Sequence, residues 1–447
     1  MEMRELLVLA GPLVLAQIGQ QAMSFVDNVM VGRLGAAASG GIGIGNAVYF
    51  AFTLLGYGCI YAADPLVSQA VGAGEHGRAR EVLQRALALA VWLSIPLMAI
   101  VAALPFTLRW FGVNHEVAIE ARAYLLGRAP NTLPLLVFGA QRAYLQAYRA
   151  TRPIILATVV GNLANVIGNG LLIYGDGALA YVHLPGVLHW NGLGILGAGL
   201  SSSISSVLSV GVLAIGIRSL HLRSERSTEG AAVSMGQLFR IGLPIGAQLA
   251  AEVGVFALAA VPAGRMGLLP AAAYNVAIQL ASASFTVAVG VGAATSVRVG
   301  LHVGRADHVS ARRAGLCGIV AAWGFMSCSA IAFLVIPRAL SRLLSSDEMV
   351  IEAAVPLLAV AAFFQLADGA QAVAAGALRG AGDTVISFIA NVVCHWFIGL
   401  PIAIVLGFTL HWGAPGLWWG LSAGLTTVAI GLTWRFLRVT SRPIARV

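Results

Sequence analysis

Three runs, Val82–Leu104, Leu193–Gly216 and Thr384–Leu410, are apolar and almost free of charge along their whole length. A helix rises about 1.5 Å per residue, so roughly 20 such residues span a hydrocarbon core about 30 Å thick. Repeated this often, the pattern leaves a chain no route to a water-facing surface. The composition agrees: only 10% of the residues are charged, against about a quarter in ordinary soluble domains. The chain reads as an all-α integral membrane protein.

Loop breaks place twelve spans near 6–31, 43–65, 83–104, 122–147, 154–174, 194–217, 237–261, 271–296, 314–336, 350–376, 384–409 and 415–436. The most polar stretch, Arg218–Ser234, separates the sixth from the seventh. This predicts an N-terminal lobe over 1–217, a cytoplasmic linker over 218–236 and a C-terminal lobe over 237–447. Every basic residue is Arg. With the N-terminus inside, all but seven of the 27 arginines fall on the inner side, and Arg128 counts among the outer seven. The positive-inside rule therefore expects both termini in the cytoplasm, which needs an even number of spans.

The two halves repeat. At a shift of 232 residues Pro12 meets Pro244, GRLG (Gly32–Gly35) meets GRMG (Gly264–Gly267), His76 meets His308, Arg80 meets Arg312 and Pro105 meets Pro337. At a shift of 230, Gly139–Arg149 meets Gly369–Arg379. Apolar composition alone would not hold Pro, Arg and His in register. Six spans per copy give both copies one orientation, so two six-helix lobes related by an axis along the membrane normal are expected, with a cleft between them.

Charge inside a span is costly and is a functional candidate by default. Asp27, Glu252 and Asp368 qualify; Asp64, beside Pro65 near a span end, reads as an interfacial residue. Gln17, Gln20, Ser24 and Asp27 share one helical face. Asn162, Asn165 and Asn169 form a second polar stripe, and Ser202, Ser205 and Ser209 a third. Gln248 and Phe256 flank Glu252 by one turn on either side, and Gln365 precedes Asp368 by three residues. Hard oxygen donors of this kind suit Na⁺ or H⁺; interhelical hydrogen bonding is the structural alternative for the Ser and Asn residues. No Arg is expected mid-span near the acids, so no internal salt bridge should neutralise them. The repeat mates of Asp27, Glu252 and Asp368 are uncharged, which suggests a division of labour between the lobes.

Other chemistries find no footing. Without Lys there is no Walker A phosphate loop, and the net charge of +9 is scattered through loops rather than gathered for nucleic acid. Cys59, Cys317, Cys328 and Cys394 read as small hydrophobes. GIGIGN (Gly41–Asn46) opens a span and reads as close helix packing. His395, deep in a span, is expected to be a hydrogen-bonded structural residue rather than a proton relay. An intramembrane enzyme would need a nucleophile–base pair or a metal constellation, and neither is visible; no cofactor and no removable signal peptide are expected.

Three motifs carry a resemblance: MSFVDNVMVGRLG (Met23–Gly35), PLVSQAVGAGEHGRAREVL (Pro65–Leu83) and FQLADGAQAVAAGALRGAGDT (Phe364–Thr384). Together, across essentially the whole chain, they resemble the multidrug and toxic compound extrusion (MATE) transporters. The resemblance implies export of cationic and aromatic compounds in exchange for Na⁺ or H⁺ by alternating access; a bacterial inner membrane is the expected location and a monomer the default. It implies that Asp27 is the first-helix coupling acid and that Asn165, Asn169 and Ser202 complete its cation site, with Ser202 where Thr is usual. Pro12 falls where the first helix can bend, and Glu252 and Asp368 match the acids of the NorM-like branch. Gln20, Ser24, Gln248, Phe256 and Gln365 are the candidate substrate contacts. Asn28 departs from the common Thr after the acid, and Asp64 replaces a small residue. A lipid or lipid-linked oligosaccharide flippase of a related two-lobed fold is the alternative; it should carry more basic residues in its cleft.

Overall fold

A computed structural model describes residues 2–176, 190–221 and 233–447. The central part of the expected linker, 222–232, lies outside the described residues. The described chain is helical, and its helices repeat at the shift that the sequence shows. Helix α1 (Glu2–Gly32) is followed by α2 (Ala36–Ile60), α3 (Ala63–Gly72) and α4 (His76–Ala103). A 3₁₀ segment, Leu104–Phe111, leads to α5 (His115–Arg128), a 3₁₀ turn at Ala129–Asn131, α6 (Thr132–Ala147), α7 (Arg152–Tyr174) and α8 (Ile195–His221). The second copy runs α9 (Met235–Arg265), α10 (Leu268–Gly304), α11 (His308–Val335), α12 (Pro337–Arg342) and α13 (Glu348–Ala381). It closes with α14 (Thr384–Val392), α15 (Leu400–Ile404) and α16 (Gly413–Val439).

Helix α4 maps onto α11 residue for residue at 232, and α2 plus α3 together map onto the single α10. The turns repeat too. Gly35 at φ +123° and Gly267 at φ +119° open α2 and α10, a backbone region in which a β-carbon is strained. The copies differ where their helices break. The first copy is interrupted before Ala63 and at Ala129–Asn131; the second winds into π-helix at Val393–Gly399 and Val405–Thr409. Within the crossing Ala36–Gly72, the helix of span two ends at Ile60, and Asp64 lies in the first turn of a separate helix.

Among the described residues ten helices are long and apolar enough to cross a membrane. The two other expected crossings are α5–α6, split by its 3₁₀ turn, and α16, whose Gly, Ser, Thr and Trp lower its hydropathy. Large apolar side chains such as Leu15, Phe25, Trp92, Ile95 and Ile215 are exposed, as lipid-facing residues must be.

Packing divides the chain along a different line from the sequence halves. One compact unit holds Met1–Val14, Asp64–Gly74 and Ala247–Val447; the other holds Leu15–Ala63 and Glu75–Gly246. The chain changes unit within α1 after Val14 and within α9 after Gly246, two residues beyond Pro12 and Pro244. Proline has no N–H to give the preceding turn and crowds its carbonyl. The assigned helix nevertheless continues through Pro12. The first unit buries a core in which Trp418 packs against Phe364 and Tyr274. The second centres on Val31, Ile42, Tyr49, Tyr124, Leu125 and Ile173.

Candidate cation-coupling sites

Close helix approach builds the N-terminal cluster. A β-carbon on Gly168 would lie 2.5 Å from the Ser201 hydroxyl, so α7 and α8 touch along small residues. A β-carbon on Gly199 would lie 2.7 Å from the Arg128 backbone nitrogen, so α5 sits equally close to α8. These approaches bring α1, α5, α7 and α8 onto one carboxylate. Asp27 Oδ1 accepts from Asn165 Nδ2 at 2.9 Å and Asn169 Nδ2 at 2.7 Å. Its Oδ2 accepts from the Ser202 hydroxyl at 2.7 Å and from Arg128 Nη1 at 3.2 Å. Arg128 Nη1 also donates to Ser202 Oγ at 3.0 Å. All five side chains are buried.

The four residues that the resemblance grouped, Asp27, Asn165, Asn169 and Ser202, therefore meet. The expectation that no Arg lies near the acids is corrected here. Arg128 was counted in an outer loop, yet it is 6% exposed and pairs with Asp27. The reason is the helix break: α5 ends at Arg128, where the C-terminal dipole favours a cation, and Pro130 turns the chain into the 3₁₀ segment. The guanidinium carbon lies 4.8 Å from the Tyr49 ring centre and 5.6 Å from that of Tyr124, a cation–π arrangement. Tyr124 is itself tied to Asn46 Oδ1 at 2.8 Å.

A second arginine from the same span, Arg142, is also buried and donates to Gln17 Oε1 at 3.3 Å. Of the polar face on α1, Gln20 and Ser24 are half-buried in the same unit. Asn28 donates to the Ser24 carbonyl at 2.9 Å, within its own helix.

The C-terminal cluster lies in the other unit. Glu252 on α9 is buried, with Gln248 one turn before it also buried. Its Oε2 accepts from Gln371 Nε2 at 3.2 Å and from Asn391 Nδ2 at 3.4 Å. Asp368, three residues before Gln371 on α13 and so on the same face, is buried in the same compact unit as Glu252. Among the described residues neither acid has an ion-pair partner. The Gln371 and Asn391 amides spend their N–H groups on Glu252, which leaves Gln371 Oε1 and Asn391 Oδ1 buried without a hydrogen bond. Buried polar atoms almost always find partners, so these two oxygens mark a place where a cation or a protonated group fits.

Sequence reasoning missed Gln371 and Asn391, although the spacing from Asp368 could have found Gln371. His395 stands beside them at 1% exposure. Its Nδ1 lies 3.1 Å from the Asn391 carbonyl, which can only accept, so that nitrogen carries the hydrogen. Nε2 then keeps a lone pair and has no partner among the described residues. His395 is thus only half satisfied as a structural histidine. Phe256 packs edge-on against its ring at 6.0 Å. Gln365 is directed elsewhere, donating to the hydroxyls of Ser284 at 2.5 Å and Ser329 at 3.1 Å.

Asp64 is buried within the protein. Its carboxylate lies 3.9 Å from Arg379 Nη1, within the compact unit that α3 shares with α13. Among the described residues no group of three His, Cys, Asp or Glu side chains could hold a metal ion.

The comparisons with known proteins agree with this architecture. The MatE family model matches twice, at residues 12–171 and 244–405, and the two matches start at the repeat shift. The probable multidrug resistance protein NorM of Pseudomonas putida is 34% identical over 99% of this chain and 96% of its own length. The protein of the same name from Pseudomonas aeruginosa is 34% identical over 99% and 90%. A crystal structure of a MATE protein in its straight conformation superposes with a TM-score of 0.87 at 16% identity, covering 98% of this chain and 96% of that one. With both copies of the repeat matched and near full-length relatives of this similarity, the chain belongs to the multidrug and toxic compound extrusion (MATE) family of membrane transporters, among its NorM-like members.

Proposed function

We propose that this protein is a secondary active exporter of cationic and aromatic compounds, driven by inward movement of H⁺ or Na⁺ through alternating access. One observation carries the reading. Glu252 and Asp368 share the interior of a single compact unit, with two unpartnered amide oxygens beside them and no ion pair among the described residues. Two carboxylates so placed bind an external cation or share protons, because both cannot stay charged and unpaired in a low-dielectric interior. Turning over either neighbouring amide would exchange a donor for an acceptor, so the same side chains serve the ion-free and ion-bound states.

A drug carrying positive charge competes for the same negative field, and that competition is what coupling requires. A ligand shifts a conformational equilibrium only through its different affinity for the two states. Gln248 and Phe256 on α9 are the substrate contacts nearest to the acids in sequence, whereas Gln365 holds its own helix to α10 and α11. The relatives' names as probable multidrug resistance proteins support this cargo. The arginine distribution supports cytoplasmic termini, and the bacterial relatives support the inner membrane. Lipid surrounds a monomer, and no nucleic acid or resident cofactor takes part. The flippase alternative expects more basic residues in the cleft; two arginines are buried in the unit that holds Asp27, Arg128 paired with Asp27 and Arg142 bonded to Gln17.

The test is ethidium efflux from proteoliposomes under an imposed pH gradient and then an imposed Na⁺ gradient. Efflux that follows one gradient and is lost in Glu252→Gln supports the reading. Folded protein that moves no ethidium under either gradient would favour the flippase.

A further inference from the structure

The two acid sites differ in one respect that the transport reading leaves unused: the N-terminal carboxylate already has a cation. Both oxygens of Asp27 are filled, Oδ1 by Asn165 and Asn169, Oδ2 by Ser202 and Arg128. All four neighbours present hydrogens to the carboxylate. Asn169 Oδ1 is left buried without a hydrogen bond here too, so what sets this site apart is the guanidinium. An entering Na⁺ would be repelled by Arg128, and an entering proton would find both carboxylate oxygens engaged.

Arg128 is also held, unlike a long surface side chain. It is the last residue of α5, its guanidinium lies against Tyr49 and Tyr124, and its backbone is clamped on α8 through Gly127 and Gly199. Neutralising Asp27 would therefore strand a guanidinium that cannot swing out to water, and a buried charge without its partner is strongly unfavourable. The repeat sharpens the contrast. The positions equivalent to Arg128 in the second copy are Val360 at a shift of 232 and Leu358 at 230, both buried and apolar. One copy ion-pairs its acid with an internal cation; in the other, neither acid has an ion-pair partner among the described residues, and the Arg379 charge reaches Glu252 only from beyond ion-pair distance.

From this pairing we infer that Arg128 is a built-in counter-cation that takes Asp27 out of ion coupling and leaves cation exchange to Glu252 and Asp368. The inference rests on the transport reading and departs from the role that family resemblance gives Asp27. The N-terminal cluster is then a neutral, hydrogen-bonded fixture that ties α1 to α5, α7 and α8. It exerts little pull on a cationic substrate, whose charge is drawn to the C-terminal acids instead. Asp27 remains necessary, but as the partner of Arg128.

The experiment follows the thermal unfolding of full-length purified protein in detergent while Na⁺ and, separately, H⁺ concentration is raised. A cation that binds only the folded state stabilises it in proportion to the logarithm of its concentration. Four proteins are compared: wild type, Glu252→Gln, Arg128→Gln and the neutral pair Asp27→Asn/Arg128→Gln. The neutral pair should keep the whole cation-dependent rise of the wild type, because that rise comes from Glu252 and Asp368. Arg128→Gln should gain an additional rise, since Asp27 then lacks a counter-charge, and the neutral pair should lose that gain. Loss of the wild-type rise in the neutral pair, or an Arg128→Gln protein that responds to cations as the wild type does, would overturn the inference. If Glu252→Gln keeps the wild-type rise, the transport site has been misassigned; the added response of Arg128→Gln still decides the role of Arg128. Should Arg128→Gln fail to fold, the neutral pair alone carries the decision.

Discussion

Deleting a buried charge has opposite consequences according to whether a counter-charge is left behind. Asp27→Asn leaves Arg128 buried and alone, so it should cost about 3–5 kcal/mol of stability. Glu252→Gln removes a charge with no ion-pair partner and keeps an amide that can still bond to Gln371 and Asn391. It should melt at or above the wild-type temperature in purified protein at neutral pH. Thermal unfolding of the two variants side by side checks the contrast; equal losses would mean that Arg128 gives Asp27 no special support. A smaller effect is expected at Asn169, whose 2.7 Å bond to Asp27 is charge-assisted. Asn169→Ala should cost about 1.5–3 kcal/mol. At this scale the sequence showed the residues but not all their company. Helical periodicity brought out Asp27, Asn165 and Asn169 because each lies on an unbroken helix. It hid Arg128, because the span over 122–147 was read as one helix and the arginine as its outer end. The signal was present in Pro130, which restricts the residue before it and marks a break beside Arg128.

Helix pairing depends on small residues spaced four apart, since apolar side chains gain nothing from leaving lipid. Gly399, Ala403 and Gly407 run along one face of the segment from α14 to the second π-helix; Gly424, Gly420 and Gly416 run the other way along α16. A β-carbon on Gly424 would come within 2.7 Å of the Gly399 Cα. One on Gly416 would come within 2.8 Å of the Gly407 nitrogen, and one on Gly420 would run into the Ala403 backbone. Gly420→Leu should therefore sharply reduce folded protein, whereas Gly431→Leu on the same helix, with open space beside it, should leave yield unchanged. Size-exclusion profiles of the two variants give the answer. At the opposite kind of position, Asp307 caps α11 by accepting from the Ser310 N–H at 2.9 Å. The bonds from Ser310, side chain first and then backbone, hold its carboxyl below the ordinary aspartate value. A lowered folded value means stability that is present above the unfolded pKa and lost as pH falls through the folded one. Asp307→Ala should thus cost about 1 kcal/mol near neutral pH, and its unfolding should converge on the wild type in strong acid. The six-span repeat was legible at this level, yet the break before Asp64 and the two π-helical stretches were not. The π-helical stretches lie in apolar runs whose composition is the same whether the winding is α or π, and the break before Asp64, although Pro65 follows it, falls within a span read as one helix.

For the whole molecule, the repeat at 232 residues is the feature that sequence, helix boundaries and the doubled family match share. Membrane residence and two-copy architecture were readable because hydropathy and register are long-range averages that survive local errors. The compact units were not readable, since α1 and α9 each change unit two residues past a proline, and no composition shift marks the passage. On the proposed reading, function depends on how the copies diverge: Asp27 is ion-paired with Arg128, whereas Glu252 and Asp368 have no ion-pair partner among the described residues. Coupling between cargo and ion is reciprocal, so an ethidium gradient alone must be able to drive the ion. The most direct measurement is ion flux into or out of proteoliposomes, followed as ²²Na⁺ or internal pH, after an ethidium gradient is imposed with no ion gradient present. The account predicts ion movement opposite to ethidium in the wild type and none in Glu252→Gln. Ethidium that crosses without moving either ion, or ion flux that persists in Glu252→Gln, would contradict it.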